Sequence, residues 1–110
     1  MSASKDKGTR AETAVVDWLK ANGWPFVERH AQHGSKDVGD INGIGAVIEV
    51  KSASRIDLSG WIAELEHEMF NADSGDGVVF VKRRGTTDVG EWYAIQTVAM
   101  WAEMAKEAGL

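Results

Sequence analysis

The residues of this chain whose types and spacing could do chemistry are Asp40, Glu49 and Lys51. Glu49 and Lys51 end an apolar run, and because alternate side chains of a β-strand share a face, their opposite charges point the same way. Asp40 stands nine residues before Glu49, where a paired strand would bring it alongside. Two carboxylates and an ammonium group that converge in this way would bind a hard divalent cation and a phosphate.

Each of these residues also has a plainer explanation. Asp40 could be a turn residue before Asn42-Gly43, although that explains neither Glu49 nor Lys51. Glu49 and Lys51 could form a solvated ion pair on an exposed strand, where such a pair adds little stability. The apolar residues that flank them favour a buried strand instead.

Composition indicates one folded domain. The chain has 110 residues, 44% of them hydrophobic, with one proline and no cysteine. We expect a single domain over residues 1–110, with residues 1–6 as a flexible N-terminal segment. The lack of cysteine excludes disulfides and thiolate metal sites. No apolar segment suits a signal or membrane-spanning sequence, so we expect a soluble, cytoplasmic protein with no membrane partner.

The formal charge of -5 is unevenly distributed. Residues 1–55 carry 8 Lys/Arg and 7 Asp/Glu, whereas residues 56–110 carry 4 and 10. Several acids of the first half are the candidate metal ligands, whose charge a bound cation would offset. The overall acidity is therefore compatible with a nucleic-acid partner if the acidic second half faces away from it.

Residue periodicity predicts an α/β fold, more closely an α+β arrangement with a mixed sheet flanked by helices. Helical spacing is found over residues 9–22, 58–69 and 98–105, with Asn22-Gly23 as a stop signal and Asp57 and Thr97 as caps. Strands are predicted over residues 24–30, 40–41, 46–51, 77–82 and 91–95, with Asn42-Gly43 as a hairpin turn and a loop over residues 31–38. The predicted order is α-β-β-β-α-β-β-α.

Large apolar side chains are expected to build the core of this fold. The second helix presents an apolar stripe of Leu58, Trp61, Ile62, Leu65 and Met69, and the last helix turns Val98, Trp101, Ala102 and Ala105 inward. Core packing is the expected role of Trp18, Trp61 and Trp101, rather than stacking on nucleic-acid bases.

The pattern Lys7-Gly8-x-x-x-Glu12, an amphipathic helix, Asp40 and then Glu49-Val50-Lys51-Ser52 resembles the PD-(D/E)xK nuclease superfamily. It is most similar to the small archaeal-type Holliday junction resolvases and their phage-encoded relatives. The resemblance covers roughly residues 5–95, and departs from the family pattern at Gly39, where a proline is usual. It implies a restriction-endonuclease-like core and a DNA endonuclease of recombination or repair, in the cytoplasm or in the host cytoplasm if phage-encoded.

The resemblance also implies a role for each matching position. Asp40, Glu49 and the Val50 carbonyl would bind Mg²⁺ or Mn²⁺. Lys51 would orient or activate the attacking water and stabilise charge on the phosphate. Glu12 would be the additional acidic residue, which holds a second metal or its water shell. Such ions neutralise the charge of the transition state and lower the pKa of a bound water.

Glu12 and two histidines have competing explanations. Glu12 follows Thr9 by three residues, so it could instead complete a helix capping box. His30 and His33 are three residues apart, which could suggest zinc. Without a third nearby His or Cys, phosphate contact or plain solvation is the stronger explanation for them.

Basic residues close to these positions are expected to contact DNA: Lys7, Arg10, Arg29, Lys36, Lys82, Arg83 and Arg84. For the last three, the alternative is a solvated turn that protects a strand edge. No GxxxxGK[ST] loop occurs in the sequence, so no nucleotide cofactor is expected. No GxSxG elbow supports serine-hydrolase chemistry.

A four-way DNA junction has two-fold symmetry, which a C2 homodimer with two active sites would match. Its interface could be supplied by large apolar residues near the C-terminus, which could equally complete the core of a monomer: Trp92, Met100, Trp101 and Met104. The expected activity is that of a Holliday junction resolvase. The alternatives are a nicking, repair or restriction-type nuclease of the same superfamily on linear or flapped DNA, and a non-catalytic DNA-binding module.

Overall fold

The computed structural model describes residues 3–30 and 36–110, with side chains from Asp6 onward. The helices are α1 (Ala3–Ala21), α2 (Leu58–Ala72) and α3 (Val98–Glu107). The strands are β1 (Glu28–Arg29), β2 (Ile41–Asn42), β3 (Val47–Lys51), β4 (Gly77–Val81) and β5 (Tyr93–Ile95). A short 3₁₀ turn over Val89–Glu91 is added to the predicted order of elements. None of the helices in these ranges is both long and apolar enough to cross a bilayer.

The strands form two sheets, and β3 lies at the edge of the larger one. β1 pairs with β2 in antiparallel orientation. The predicted hairpin ladder between β2 and β3 is therefore wrong: β2 belongs to a different sheet from β3, and Asn42 ends β2 instead of forming the turn. β3, β4 and β5 form a three-stranded sheet in that order, in which β3 is parallel to β4 and β4 is antiparallel to β5. The α+β class and the mixed sheet expected from the sequence are therefore confirmed. Because β3 is an edge strand, one row of its backbone groups is turned away from β4.

β3 is buried on both faces, by a different helix on each. Ile48 and Val50 belong to the core that α1 covers, with Ala11, Val15, Val16, Leu19, Val27 and Ile41. Val47 belongs to the core that α2 covers, with Trp61, Leu65, Val79 and Val81. Since alternate side chains of a strand point to opposite faces, Glu49 and Lys51 lie on the α2 face.

Helix α1 begins six residues earlier than predicted. It spans Ala3–Ala21 and is followed by Gly23, whose φ of +113° is a conformation that suits glycine after a helix. Residues 1–2 of the segment expected to be flexible lie outside the described residues, and residues 3–6 are helical. Thr9 lies inside the helix, where its carbonyl accepts a hydrogen bond from the Thr13 hydroxyl at 2.9 Å. The capping-box explanation for Glu12 is therefore wrong, because Thr9 is no cap.

The first predicted strand is mostly irregular. Only Glu28–Arg29 of the predicted residues 24–30 are in a strand, and Trp24 and Phe26 are exposed. Pro25 has no N–H group to donate to a ladder, which keeps the preceding part out of the sheet. Of the predicted loop, residues 31–35 lie outside the described part of the chain, and residues 36–38 carry no regular structure.

The caps of the last two helices are confirmed. Asp57 Oδ1 accepts from the Gly60 N–H at 3.0 Å, and Thr97 Oγ1 accepts from the Met100 N–H at 3.2 Å. On α2, Trp61 is buried as predicted, whereas Leu58 is 46% exposed.

The inward orientation predicted for two residues of α3 is wrong: Val98 is 83% exposed and Trp101 is 55% exposed, whereas Met100 packs against the α2 core. Ala102 and Ala105, also predicted to face inward, are half-buried. Successive residues of a helix are about 100° apart, so a helix that turns Met100 inward carries Trp101 outward. Of the tryptophans assigned to the core, Trp61 is buried and Trp18 packs against the α1 core.

Candidate active site

Asp40 and Glu49 are brought together by the backbone of β3. The Asp40 N–H donates to the Ile48 carbonyl at 2.9 Å, which fixes Asp40 beside the free edge of the strand. The Val50 N–H then donates to Asp40 Oδ2 at 2.8 Å. In an extended strand the N–H and C=O of one residue point to the same side, so the Val50 carbonyl is turned towards Asp40 as well. The three predicted metal-binding groups therefore lie at one edge.

Gly39, directly before Asp40, has a backbone conformation that proline cannot adopt. Its φ is +104°, whereas proline is restricted to about −65°. A side chain at this position would also meet Val47 Cγ1 at 3.0 Å and the Ile48 carbonyl oxygen at 3.1 Å. Glycine thus lets the backbone pass close to β3, and this is what seats Asp40 against the strand.

The Asp40 and Glu49 carboxyls are in an environment that disfavours their charge. Burial raises the pKa of Asp40 to about 6, against the opposing hydrogen bond from Val50. Burial likewise raises the pKa of Glu49 to about 7, and the charge of Asp40 adds to this rise. Glu49 is only 3% exposed, so the solvated surface ion pair considered for Glu49 and Lys51 is wrong.

Lys51 lies between two glutamates on the α2 face. Its Nζ is 2.9 Å from Glu64 Oε2 and 3.4 Å from Glu49 Oε2. Burial lowers the pKa of Lys51, but the hydrogen bond to Glu64 and the charge of Glu49 outweigh burial, so its pKa is raised overall. Lys51 is therefore an ammonium ion at neutral pH, suited to hold a phosphate oxygen or orient a water rather than to accept a proton.

Glu12 approaches the same site from α1. Its Oε1 accepts from Arg29 Nε at 3.1 Å, and its negative charge contributes to the raised pKa of Asp40. The ion pair ties α1 to β1 next to the Asp40 edge. Glu12 is thus near the predicted metal site, and Arg29 already provides it with a counter-charge.

Three acidic residues that the sequence did not single out surround Glu49. One carboxyl oxygen from each of Asp37, Glu49, Glu64 and Glu68 lies within 4.8 Å of the others; we call these four residues the acidic cluster. Glu68 is 1% exposed, and within the described residues neither of its oxygens has a hydrogen-bond partner. Burial raises the pKa of Glu68 strongly, and the proximity of Glu49 raises it further.

The elements that carry the acidic cluster hold it firmly. Asp37 is fixed against α2, since its carbonyl accepts from Asn71 Nδ2 at 2.9 Å, and its Oδ1 accepts from the Gly39 N–H at 3.0 Å. Glu64 and Glu68 are one turn apart on α2. The helical position of Glu68, three residues after Leu65, was a signal in the sequence, because it places a carboxyl on the apolar face.

Three of the seven predicted DNA-contacting residues line one cavity of about 380 Å³ between α1 and the end of β3. We call this the basic cavity; its polar lining includes Lys7, Arg10, Ser52 and Lys82. Ser52 Oγ is buried and has no hydrogen-bond partner in the described ranges. The Lys82 Nζ lies 5.9 Å from the centre of the Trp92 ring, which also lines the cavity.

The other predicted DNA contacts are dispersed. The Arg83 guanidinium lies 5.7 Å from the centre of the Tyr93 ring, and Arg84 and Lys36 are exposed. His30 donates its backbone N–H to the Asp40 carbonyl at 2.8 Å. The zinc site considered for His30 and His33 lies partly outside the described residues, since His33 falls in the range 31–35.

The structure thus places Asp40, Glu49 and Lys51 close together, with Glu12 nearby. Lys7, Arg10 and Lys82 line the basic cavity. The acidic cluster adds further carboxyls beside Glu49. Such an arrangement can bind a hard cation and an anionic group side by side. Comparisons with protein-family models, with curated proteins and with solved structures find no match for this chain.

Proposed function

We propose that this protein is a metal-dependent DNA endonuclease with a restriction-endonuclease-like core, and that its substrate is branched DNA such as a four-way junction. The observation that carries the proposal is the buried Glu49 carboxyl with the half-buried Asp40 carboxyl on adjoining backbone, beside the Lys51 ammonium. A strand that only completed a core would not bury an acidic side chain such as Glu49, because burying an unpaired charge is costly. The resemblance to the PD-(D/E)xK superfamily rests on the same residues.

The donor set suits Mg²⁺ or Mn²⁺. Glu49 Oε1 is buried without a hydrogen-bond partner among the described residues, so an oxygen ligand is left for a cation to satisfy. Asp40, Glu49 and the Val50 carbonyl would hold the ion, since hard cations prefer oxygen ligands. When bound, it would supply a more acidic water and neutralise charge on the phosphate.

The chain's own residues then have separate tasks. Lys51 places a fixed positive charge where negative charge grows on the phosphate during cleavage, so its interaction strengthens in the transition state. Glu49 and Glu64 orient the Lys51 ammonium by contacts of 3.4 and 2.9 Å. The Val50 N–H holds Asp40 in place. Glu12, held by Arg29, lies where it can orient water at the edge of the site.

The basic cavity is a suitable place for a phosphate of the DNA backbone. Lys7, Arg10 and Lys82 supply charge, and the unpartnered Ser52 hydroxyl supplies a hydrogen-bond donor. Ser52 directly follows Lys51, so a strand seated in the cavity would run past the proposed site. Arg83 and Arg84, on the turn after β4, would extend the contact.

A homodimer would present two such sites to the two strands of a junction. On α3, Trp101 and Met104 are 55% and 48% exposed, which makes them available to an interface. Trp92 and Met100, which the sequence grouped with them, pack against the two cores. The proposed interface is therefore narrower than expected and centred on the outer face of α3.

A cleavage assay on four substrates tests the proposal: a four-way junction, a flap, a nicked duplex and a linear duplex, each with Mg²⁺, Ca²⁺ or EDTA. We expect paired cuts on opposing junction strands in Mg²⁺, and binding without efficient cutting in Ca²⁺, whose looser coordination positions water poorly. Light scattering of the same sample should report a dimer. A monomer that cuts linear duplex as readily as junctions would favour the general-nuclease alternative, and no cutting of any substrate would refute the proposal.

A further inference from the structure

We propose that the acidic cluster is a second divalent-cation site, formed by Asp37, Glu49, Glu64 and Glu68 on the α2 face of β3. Its four carboxyl oxygens lie within 4.8 Å of one another. Ligands on opposite sides of a Mg²⁺ or Ca²⁺ ion are about 4–5 Å apart, so one ion could contact all four. The binding itself does not depend on nuclease activity, whereas its place beside a catalytic carboxylate rests on the proposed function.

Glu68 separates this cluster from an ordinary acidic surface patch. It is 1% exposed, and in the described part of the chain no N–H or hydroxyl group donates to either carboxyl oxygen, which face only the other carboxyls of the cluster. Glu49 is 3% exposed, and its Oε1 is likewise without a partner there. A buried carboxylate without donors costs several kcal/mol, and a bound cation removes that cost. The two buried side chains therefore point to a ligand that both can share.

Lys51 satisfies only part of the cluster. Its ammonium group contacts Glu64 at 2.9 Å and Glu49 at 3.4 Å. A divalent cation could use one oxygen from each of the four residues at once.

The position of Glu68 on α2 supports a function rather than a packing role. Trp61, Leu65 and Glu68 are the buried residues of this helix and lie on one face. An apolar side chain would fill the position of Glu68 at lower cost. Glu64 lies one turn earlier and reaches towards the same space. The helix thus presents two carboxyls to the strand.

This site changes the expected location of a second ion. The family resemblance implied that Glu12 would hold that ion. However, Glu12 Oε1 is paired with Arg29 Nε at 3.1 Å on the α1 side. The acidic cluster lies on the α2 side and contains the carboxylate that the first site also uses. Two ions that share a carboxylate are typically about 4 Å apart in nucleases.

The test measures cation binding to the full chain without DNA, by calorimetric titration with Mn²⁺ and by thermal melting with and without Mn²⁺ at pH 8. The informative variants are Glu68→Gln, which keeps the shape, and Glu68→Leu, which suits the apolar face. Asp40→Asn removes a ligand of the first site only. Glu66→Gln, on the exposed face of the same helix, is the matched control.

We expect the wild type and Glu66→Gln to bind two Mn²⁺ ions, and Asp40→Asn to keep one ion and to melt at a higher temperature with it. In the Asp40→Asn background, either Glu68 change should weaken the remaining binding at least about tenfold and remove the thermal shift, while the protein melts cooperatively in EDTA. Equal Mn²⁺ binding by Asp40→Asn with and without the Glu68 changes would overturn the proposal, as would loss of all binding in Asp40→Asn alone. A protein that binds Mn²⁺ through Glu68 but cuts no DNA would refute the nuclease and leave this site standing.

Discussion

The acidic cluster and the basic cavity lie on opposite faces of β3 and the Ser52 that follows it. They nevertheless differ in charge, burial and hydrogen bonding. Odd-numbered residues of β3 face α2 and the acidic cluster, in which the Glu49 and Glu68 carboxyls are almost fully buried. Even-numbered residues lead to α1, and the face ends at Ser52 in a cavity whose Lys7 and Arg10 side chains are exposed.

The difference follows from side-chain chemistry. Lysine and arginine can bury their aliphatic stems and keep their charges in water. A basic cavity therefore has a small desolvation cost. A carboxyl is short, and once buried it keeps its charge only with a donor or a cation. Under the proposed function, the acidic side is the pre-formed part that holds an ion, and the basic side is the part that adapts to a phosphate backbone.

Replacing Glu49 should have the largest effect on cleavage. Glu49→Gln is nearly isosteric but weakens a charged ligand that both proposed cation sites share. We expect Mg²⁺-dependent cleavage to fall by about 10³-fold or more in single-turnover assays, with the fold intact by circular dichroism. Cleavage at the wild-type rate would break the link between the acidic cluster and chemistry.

Lys51 belongs to both regions, because it ends β3 on the acidic face and directly precedes the cavity. Lys51→Ala should slow the chemical step by about 10²–10³-fold while weakening DNA binding only a few-fold, since the charge it meets develops in the transition state. Single-turnover rates and binding titrations in Ca²⁺ separate the two effects. Equal losses in both would make Lys51 an ordinary phosphate contact.

The pH dependence of the free energy of unfolding tests whether the buried carboxyls destabilise the fold when no cation is bound. Burial raises the pKa of Asp40 to about 6 and the pKa of Glu49 to about 7. It raises the pKa of Glu68 more strongly, to about 10. Carboxyls with a higher pKa in the folded state stabilise it below their unfolded pKa of about 4, and this stabilisation is lost as pH rises through their folded pKa values of about 6, about 7 and, for Glu68, about 10. In EDTA, unfolding by urea should therefore become easier from pH 5 to pH 8, by a few kcal/mol.

Adding Mg²⁺ at pH 8 should restore much of that stability, and Glu68→Leu should flatten the pH dependence in EDTA. Urea titrations of the wild type and the variant at four pH values measure both effects. A wild type that is equally stable at pH 5 and pH 8 without metal would show that the buried carboxyls carry no such cost.

The two regions also differ in how far sequence alone reveals them. Strand alternation was enough to predict that Glu49 and Lys51 share a face, and Asp40 does lie beside β3, although through a hydrogen bond to Ile48 rather than through the predicted hairpin ladder. Helical periodicity places the Glu68 carboxyl on the apolar face of α2, but only tertiary packing shows which groups it meets there. The orientation of α3 failed for a related reason: Trp101 and Met100 are adjacent apolar residues, and the contacts of α3 decide which of them is buried.

Substitutions in the basic cavity should have smaller effects, and these effects should appear in how DNA binding depends on salt. Removing Arg10 and Lys82 together should flatten the dependence of DNA binding on salt by about two units, because two phosphate contacts no longer release counterions. Removing Arg83 and Arg84 should flatten it by about two units as well if that turn touches DNA. The double variant of Lys20 and Lys106, both exposed and outside the cavity, is the control. An unchanged slope for Arg10 and Lys82 would show that the cavity holds no phosphate.

The most direct test of the central claim is single-turnover cleavage of a labelled four-way junction by the wild type and by Asp40→Asn, side by side in Mg²⁺. The asparagine amide oxygen can still accept the 2.8 Å hydrogen bond from Val50, so the fold and the binding of the junction should persist. We predict cleavage by the wild type that EDTA abolishes, and a rate at least about 10³-fold lower in the variant. Cleavage by Asp40→Asn at the wild-type rate would contradict the account.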